Sequence, residues 1–158
     1  MFNKDFLFLF PSTVFSGHEK MALKILEKAP VDIDCILNEQ LRSKFSFKNK
    51  SFVYSNIFSL FTILFKVRMR NQCVTILIVA GSPYGFLVEK VLMKLFLFKV
   101  VDYVPFPELK VIEDRFHHRF VALFNKLLID KRIVIDDWQV KYSAVRECLV
   151  VKNIVEND

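Results

Sequence analysis

Glycine is scarce in this chain, and its scarcity excludes a good deal. Only Gly17, Gly81 and Gly85 occur among 158 residues. There is accordingly no G-x-G-x-x-G dinucleotide fingerprint and no G-x-x-x-x-G-K-[ST] phosphate loop, so the usual NAD and ATP readings lose their support. Proline is nearly as rare, with 5 residues against an apolar fraction of 53%, which excludes a disordered or low-complexity chain. The three cysteines, Cys35, Cys73 and Cys148, are scattered, with no C-x-x-C pair and no histidine at ligand spacing. That argues against a disulfide scaffold or a zinc site, predicts no metal, and fits a reducing cytoplasm in which the thiols pack as small hydrophobes. Long hydrophobic runs are missing too. Phe6 to Phe10 is too short for a signal-peptide core. The stretch from Ile57 to Phe65 is broken by Ser59 and Thr62, far below the roughly 20 residues of a membrane span.

A further absence is local. Between Glu39 and Glu89 there is no acidic residue, while Arg42, Lys44, Lys48, Lys50, Lys66, Arg68 and Arg70 all fall there. Phe45, Phe47, Phe52, Tyr54, Phe58, Phe61 and Phe65 are interleaved with them, and the chain as a whole carries a net charge of +6. A basic and aromatic stretch suits an anionic membrane surface or a solvated basic face over a Phe-rich core. Single-stranded nucleic acid suits it less, because no recognition motif accompanies the charge, and no nucleic-acid partner is expected. Lys66, Arg68 and Arg70 are the membrane-docking candidates.

What is present is alternation. Apolar runs mark strands at 5–10, 32–37, 51–54, 74–80, 98–104, 132–136 and 148–152, several without the polar alternation of a half-buried strand. Helical patterns fall at 18–28, 38–46, 56–70, 85–96, 113–129 and 137–145. In the first, Met21, Ala22, Ile25, Leu26 and Ala29 form the apolar face, with Glu19, Lys20, Lys24 and Lys28 toward water. In the fifth, Phe116, Phe120, Leu123, Phe124 and Leu127 form it, opposed by Arg115, Arg119 and Lys126. The helix at 56–70 is apolar on nearly every side, so it is sandwiched or lies against something greasy outside the domain. The pattern predicts a single α/β domain over 1–158: a Rossmann-like, doubly wound, mostly parallel sheet of about six or seven strands with helices on both faces.

In such a sheet, ligands bind in the turns after the carboxyl ends of the strands. The first turn, Pro11 to Glu19, is longer than a connector needs. Gly17 ahead of a helix permits close backbone approach, and Ser16 either caps the helix or donates to a ligand. The second, Gly81-Ser82-Pro83-Tyr84-Gly85, combines small residues with a hydroxyl and a phenol, which suits a sugar ring or a phosphate as well as a plain tight turn. The third holds Phe106 and Glu108 between and after two prolines, and Glu108 suits hydrogen bonding to sugar hydroxyls or general-base work. Asp136 or Asp137 reads as a helix N-cap, and His117 and His118 as surface or core-edge residues.

Taken in order, these segments resemble the N-terminal half of bacterial GT-B glycosyltransferases of the large retaining family that builds surface polysaccharides. Ser16-Gly17-His18-Glu19 with Met21-Ala22 and Ile25-Leu26 resembles the family's Gly-Gly-x-Glu start of the first helix. Ile76 to Val79 with its turn is similar to the fourth strand, and Lys99 to Pro105 to the fifth. Residues 130 to 137 look like the strand ending in a polar helix cap, and Val150 to Val155 like the segment leading to the second domain. Ser16 stands where the family has its second glycine, and Ile154 follows Asn153 where a glycine is usual. The resemblance implies a metal-free transferase without a cofactor, in which a nucleotide-sugar donor is substrate of the complete enzyme. It implies an acceptor-binding role for Ser16, Gly17, Glu19, Gly81, Ser82, Tyr84, Gly85, Phe106 and Glu108, with a saccharide or lipid-linked acceptor in lipopolysaccharide, O-antigen or capsule synthesis. The donor-binding half is absent from these residues, so the chain is expected to be inactive without a C-terminal domain or partner chain, and to be cytoplasmic or peripheral at the inner membrane. A non-catalytic membrane-peripheral or regulatory module on the same scaffold is the alternative.

Overall fold

Runs of Phe, Leu, Ile and Val become strands buried on both faces. The structure is a computed structural model that describes residues 6–28, 33–44, 51–70, 75–80, 85–104, 116–141 and 143–151. Its strands are β1 (Phe6–Phe10), β2 (Asp34–Asn38), β3 (Ser51–Tyr54), β4 (Thr75–Val79), β5 (Lys99–Tyr103), β6 (Lys131–Val134) and β7 (Cys148–Val150). They pair in the order β3-β2-β1-β4-β5-β6-β7, every neighbouring pair parallel. This is the expected doubly wound α/β sheet. The chain builds outward from β1 to β3, crosses back, and builds outward again from β4, which places the switch in winding direction between β1 and β4.

The helices are α1 (Gly17–Glu27), α2 (Ile57–Met69), α3 (Leu87–Leu95), α4 (Phe116–Leu128) and α5 (Asp137–Val140). Strand parity separates two cores. Leu7, Leu9, Ile76, Ile78 and Val100 pack with Leu60, Leu64 and Val67 of α2 and Met93 of α3. Phe8, Phe10, Leu77, Val79 and Val101 pack on the other face with Ala22 and Leu26 of α1. Each of the buried α2 residues contributes about 1.5–3 kcal/mol by leaving water. Cys35 lies in the α1-side core, where burial pushes its thiol up to about 12; Cys73 lies outside the described residues.

Two expected helices are shorter than their sequence pattern. At 38–46 only a 3-10 turn, Glu39–Lys44, forms, started by the Asn38 Oδ1 that accepts the Gln40 N–H at 3.1 Å. At 137–145 the helix stops after Val140, because the Ser143 hydroxyl accepts the Val145 N–H at 3.1 Å and turns the chain into β7.

The expected faces are also corrected. Glu19 does not face water: it is 3% exposed and folds back on the start of its own helix. Ile25, expected in the core, is 45% exposed. In α4 the stripe expected inside is outside, with Phe120, Leu123 and Leu127 all exposed. The buried side of α4 instead carries Asn125, which accepts from the Lys90 ammonium at 3.1 Å, while Arg119 and Lys126 stay exposed. The side chains of His117 and His118 lie outside the described residues.

Candidate functional site

Reversal of winding direction leaves a crevice where the chain leaves β1 and β4 in opposite directions. The residues after β1 lead into α1 on one face of the sheet, and those after β4 into α3 on the other. Two helix N-termini therefore straddle the carboxyl edge, each with first-turn amides that lack intrahelical acceptors.

On the α1 side, Ser16 is the N-cap in extended conformation. Glu19 Oε2 accepts from the Ser16 backbone N–H at 2.9 Å and from the Ser16 hydroxyl at 2.5 Å. Both side chains are thus committed to each other and hold the entry to the helix rigid. Gly17 follows, exposed, and a Cβ built on it would meet nothing within 4 Å. Neither the backbone nor a neighbouring side chain demands glycine there. Beneath, the Tyr103 hydroxyl at the end of β5 contacts Met21 Sδ, and burial pushes that phenol up to about 12.

On the α3 side, Gly85 is half-buried and Phe86 stands as N-cap at φ 61, ψ 37, in the left-handed region. For a bulky residue that conformation is strained, and such strain gathers where a turn is held in place for a purpose. Gly81, Ser82 and Tyr84 of this turn lie outside the described residues, as do Phe106 and Glu108 of the third. Lys66, Arg68 and Arg70 are brought together on the last turn of α2, away from this edge. Asp136 is the N-cap of α5, as its sequence position suggests.

The carboxyl edge also holds groups that sequence reasoning missed. Asn38 ends β2 directly opposite Tyr54, which ends β3. The Tyr54 hydroxyl is buried without a hydrogen bond of good geometry. Burial first, and then the charge of Glu89, hold it well above its ordinary range, with the Asn38 amide easing it only slightly. Glu89, in the first turn of α3, is itself raised, because burial of its carboxyl outweighs its own backbone hydrogen bond and the charge of Lys90. The available signal was position: each residue sits at a strand's carboxyl end or a helix's first turn, the one edge where a parallel sheet places chemistry.

A second missed feature lies deeper. Asp102 of β5, fully buried, receives Arg132 through Nε at 3.0 Å and Nη2 at 2.8 Å, while the Lys90 ammonium stands 4.0 Å from it. Together with Asn125 they tie α3, β5, α4 and β6 in one ionic cluster. It is sealed from the crevice and so serves the frame. Among the described residues no three of His, Cys, Asp and Glu converge as a metal site.

Sheet order, switch point and straddling helix N-termini define a Rossmann-like, doubly wound α/β domain. No family model matches the sequence, and no curated protein does. Solved structures do match the fold. That of Anabaena Alr3699/HepE in complex with UDP and glucose is similar at a TM-score of 0.66 and 11% identity, over 94% of this chain and 44% of that one. That of Arabidopsis thaliana UGT89C1 complexed with quercetin is similar at 0.57 and 12% identity, over 92% of this chain and 49% of that one. Both are GT-B glycosyltransferases, and the likeness shows a GT-B type of fold. The chain spans less than half the length of either.

Proposed function

We propose that this chain is the acceptor-binding half of a glycosyltransferase, which passes a sugar from a nucleotide-sugar to a saccharide or lipid-linked acceptor in cell-surface polysaccharide synthesis. One observation carries the reading: the β1–β4 switch point of the sheet, in a domain that superimposes on less than half of two GT-B enzymes. The opposite wall, which would hold the donor, is supplied by a second domain or partner chain. Gly17 and the turns at 81–85 and 105–108 line the near wall. Half-buried Glu89, with its raised carboxyl, accepts from an acceptor hydroxyl or takes its proton. Transfer follows the retaining course of the polysaccharide-building family, and the chain works in the cytoplasm, peripheral to the inner membrane.

The test is sugar transfer measured with and without a candidate donor half. Turnover only in the mixture is expected. Robust turnover by the isolated chain would overturn the half-enzyme reading, and none in any mixture would favour the second reading, a non-catalytic membrane-peripheral module. That reading draws on the exposed aromatic side of α2.

A further inference from the structure

The helix layer formed by α2, α3 and α4 is apolar on its outside. On α2, Phe58, Phe65 and Met69 recur at helical spacing on the side away from the sheet, with Phe58 81% and Met69 68% exposed. Its inner side is separately satisfied by Leu60, Leu64 and Val67, so the outer residues are surplus to the core. The neighbouring α3 ends in Leu95, 66% exposed, and Phe96 just past it packs in a tilted ring contact with Phe61 at 5.0 Å, joining the two surfaces. Next to α3, α4 turns Leu123 and Leu127 outward, the latter 67% exposed. Single exposed apolar residues need no account, but outward stripes on three adjacent helices do. With helices 8–10 Å apart and α2 about 20 Å long, the patch is of the order of 500 Å².

The charges around it have one dominant sign. Lys66 and Arg70 flank the α2 stripe on one side and Arg68 on the other, while Arg119 and Lys126 border that of α4. The carboxylates on these helices are withdrawn: Glu89 is half-buried, and Asp130, just past α4, is paired with Lys94 at 2.5 Å. Beside the stripe a groove of about 250 Å³ runs between β3 and α2, floored by Phe52, Ile63 and Val67, with Lys66 and Arg70 also lining it. An apolar floor with two cations fits an anionic headgroup and the start of its acyl chain. A protein partner or a second copy would leave these cations facing a surface that needs acids, and this face offers a second copy none. No helix among the described residues is long and apolar enough to cross a membrane, so any contact is interfacial.

We propose that the outer faces of α2, α3 and α4 seat this chain on an anionic lipid bilayer, with Phe58, Phe65, Met69, Leu95 and Leu127 entering the headgroup boundary and Lys66 and Arg70 holding lipid phosphates. The proposal rests on the membrane-peripheral placement put forward above, and vesicle binding is measured without an assay of sugar transfer, so that its failure is distinguishable from failure of the transferase reading.

The experiment is co-sedimentation with phosphatidylcholine vesicles, with and without phosphatidylglycerol, over a range of salt. The chain is expected to pellet with the anionic vesicles and to be released as salt rises. The pair Phe58→Ser and Phe65→Ser, and separately Lys66→Glu with Arg70→Glu, should each lower partitioning at least about tenfold, since each cation near the surface contributes about 1 kcal/mol. Leu123→Ser with Leu127→Ser should lower it as well. All these positions are exposed, and unchanged thermal unfolding of each variant separates lost docking from lost folding. Wild-type chain that stays in the supernatant with anionic vesicles would overturn the proposal. So would α4 variants that bind as wild type, or self-association abolished by the same α2 substitutions without vesicle binding, the result for a second copy.

Discussion

The two sides of the sheet obey opposite rules. On one, α1 buries Ala22 and Leu26 and turns Lys20, Lys24, Glu27 and Lys28 to water, with Ile25 the one apolar residue among them. On the other, α2 to α4 carry Phe, Leu and Met outside, while α3 and α4 enclose Lys90, Asn125 and, from the sheet, Asp102 and Arg132. The first arrangement is that of a helix whose outer neighbour is water. The second puts ions in the low-dielectric interior and aromatics at the surface, the arrangement on which the proposed bilayer contact rests. What differs is which side of each layer is apolar, and four predictions sharpen or break that contrast.

The largest effect is expected at the ionic cluster. Asp102→Asn keeps the shape of the side chain but leaves Lys90 and Arg132 without their carboxylate, and should cost about 3–5 kcal/mol in urea unfolding. Replacing Lys90, Asp102 and Arg132 together by Met, Leu and Leu should restore most of that or exceed wild type, since a packed apolar group avoids the desolvation of three ions. A single Asp102→Asn variant with wild-type stability would mean that the interior of this layer is no more polar in effect than that under α1.

Smaller, and opposite in sign, is Leu97→Gly. After α3 the Leu97 N–H bonds to the Lys94 carbonyl at 2.9 Å and the Phe98 N–H to that of Met93 at 3.1 Å, closing a Schellman turn with Leu97 at φ 58. A leucine in that region is strained, and this one is 75% exposed. Glycine should raise stability by about 0.5–1 kcal/mol, read as a thermal shift of about 2–3 °C. A glycine variant that is more stable but binds anionic vesicles less well would show that Leu97 is retained for the surface.

The architecture was legible because each strand holds a short apolar run and each turn a break in it: Ile76 to Val79 can hardly be read otherwise. The first turn was legible as well, since Ser16 and Glu19 have capping-box spacing, although their commitment to each other was not. Faces were read less well. A helical wheel locates an apolar stripe without saying which way it points, and the buried side of α4 includes an amide, Asn125, whose partner is a lysine 35 residues earlier. The pairing of Asp102 with Arg132 and the meeting of Asn38 with Tyr54 arise from register between strands distant in sequence, which no local pattern encodes.

A weaker effect is expected at Glu89, at the rim of the polar interior. Its carboxyl is raised when folded, so the folded chain holds its proton at pH values where the unfolded chain, at the ordinary glutamate value of 4.5, has begun to lose it. The contribution of Glu89 is therefore fully present below that value and is lost as pH rises toward the folded one. Glu89→Gln should remove this slope and leave the neutral-pH protein equal or slightly more stable, by roughly half a kcal/mol or less after solvent screening. The same variant, joined to a donor half, should lose transfer if Glu89 handles the acceptor proton, and a flattened stability profile with full activity would confine it to the frame.

The smallest effect on the fold, and the most telling for the crevice, is expected at Gly17. A methyl group there enters open space, and at a helix start alanine is no worse than glycine, so Gly17→Ala should leave stability unchanged or raise it by up to about 0.5 kcal/mol. The same methyl group would stand between the first-turn amides of α1 and whatever anionic or sugar group approaches them. If the chain is half of a transferase as proposed, the variant joined to a donor half should raise KM or lower kcat while its melting curve matches that of wild type. Leu26→Ala in the α1-side core provides the contrasting control, with a loss of about 2–5 kcal/mol and no selective effect on transfer per folded molecule. Undiminished kcat/KM for Gly17→Ala would remove the α1 start from the crevice and leave the turn before α3 as its working wall.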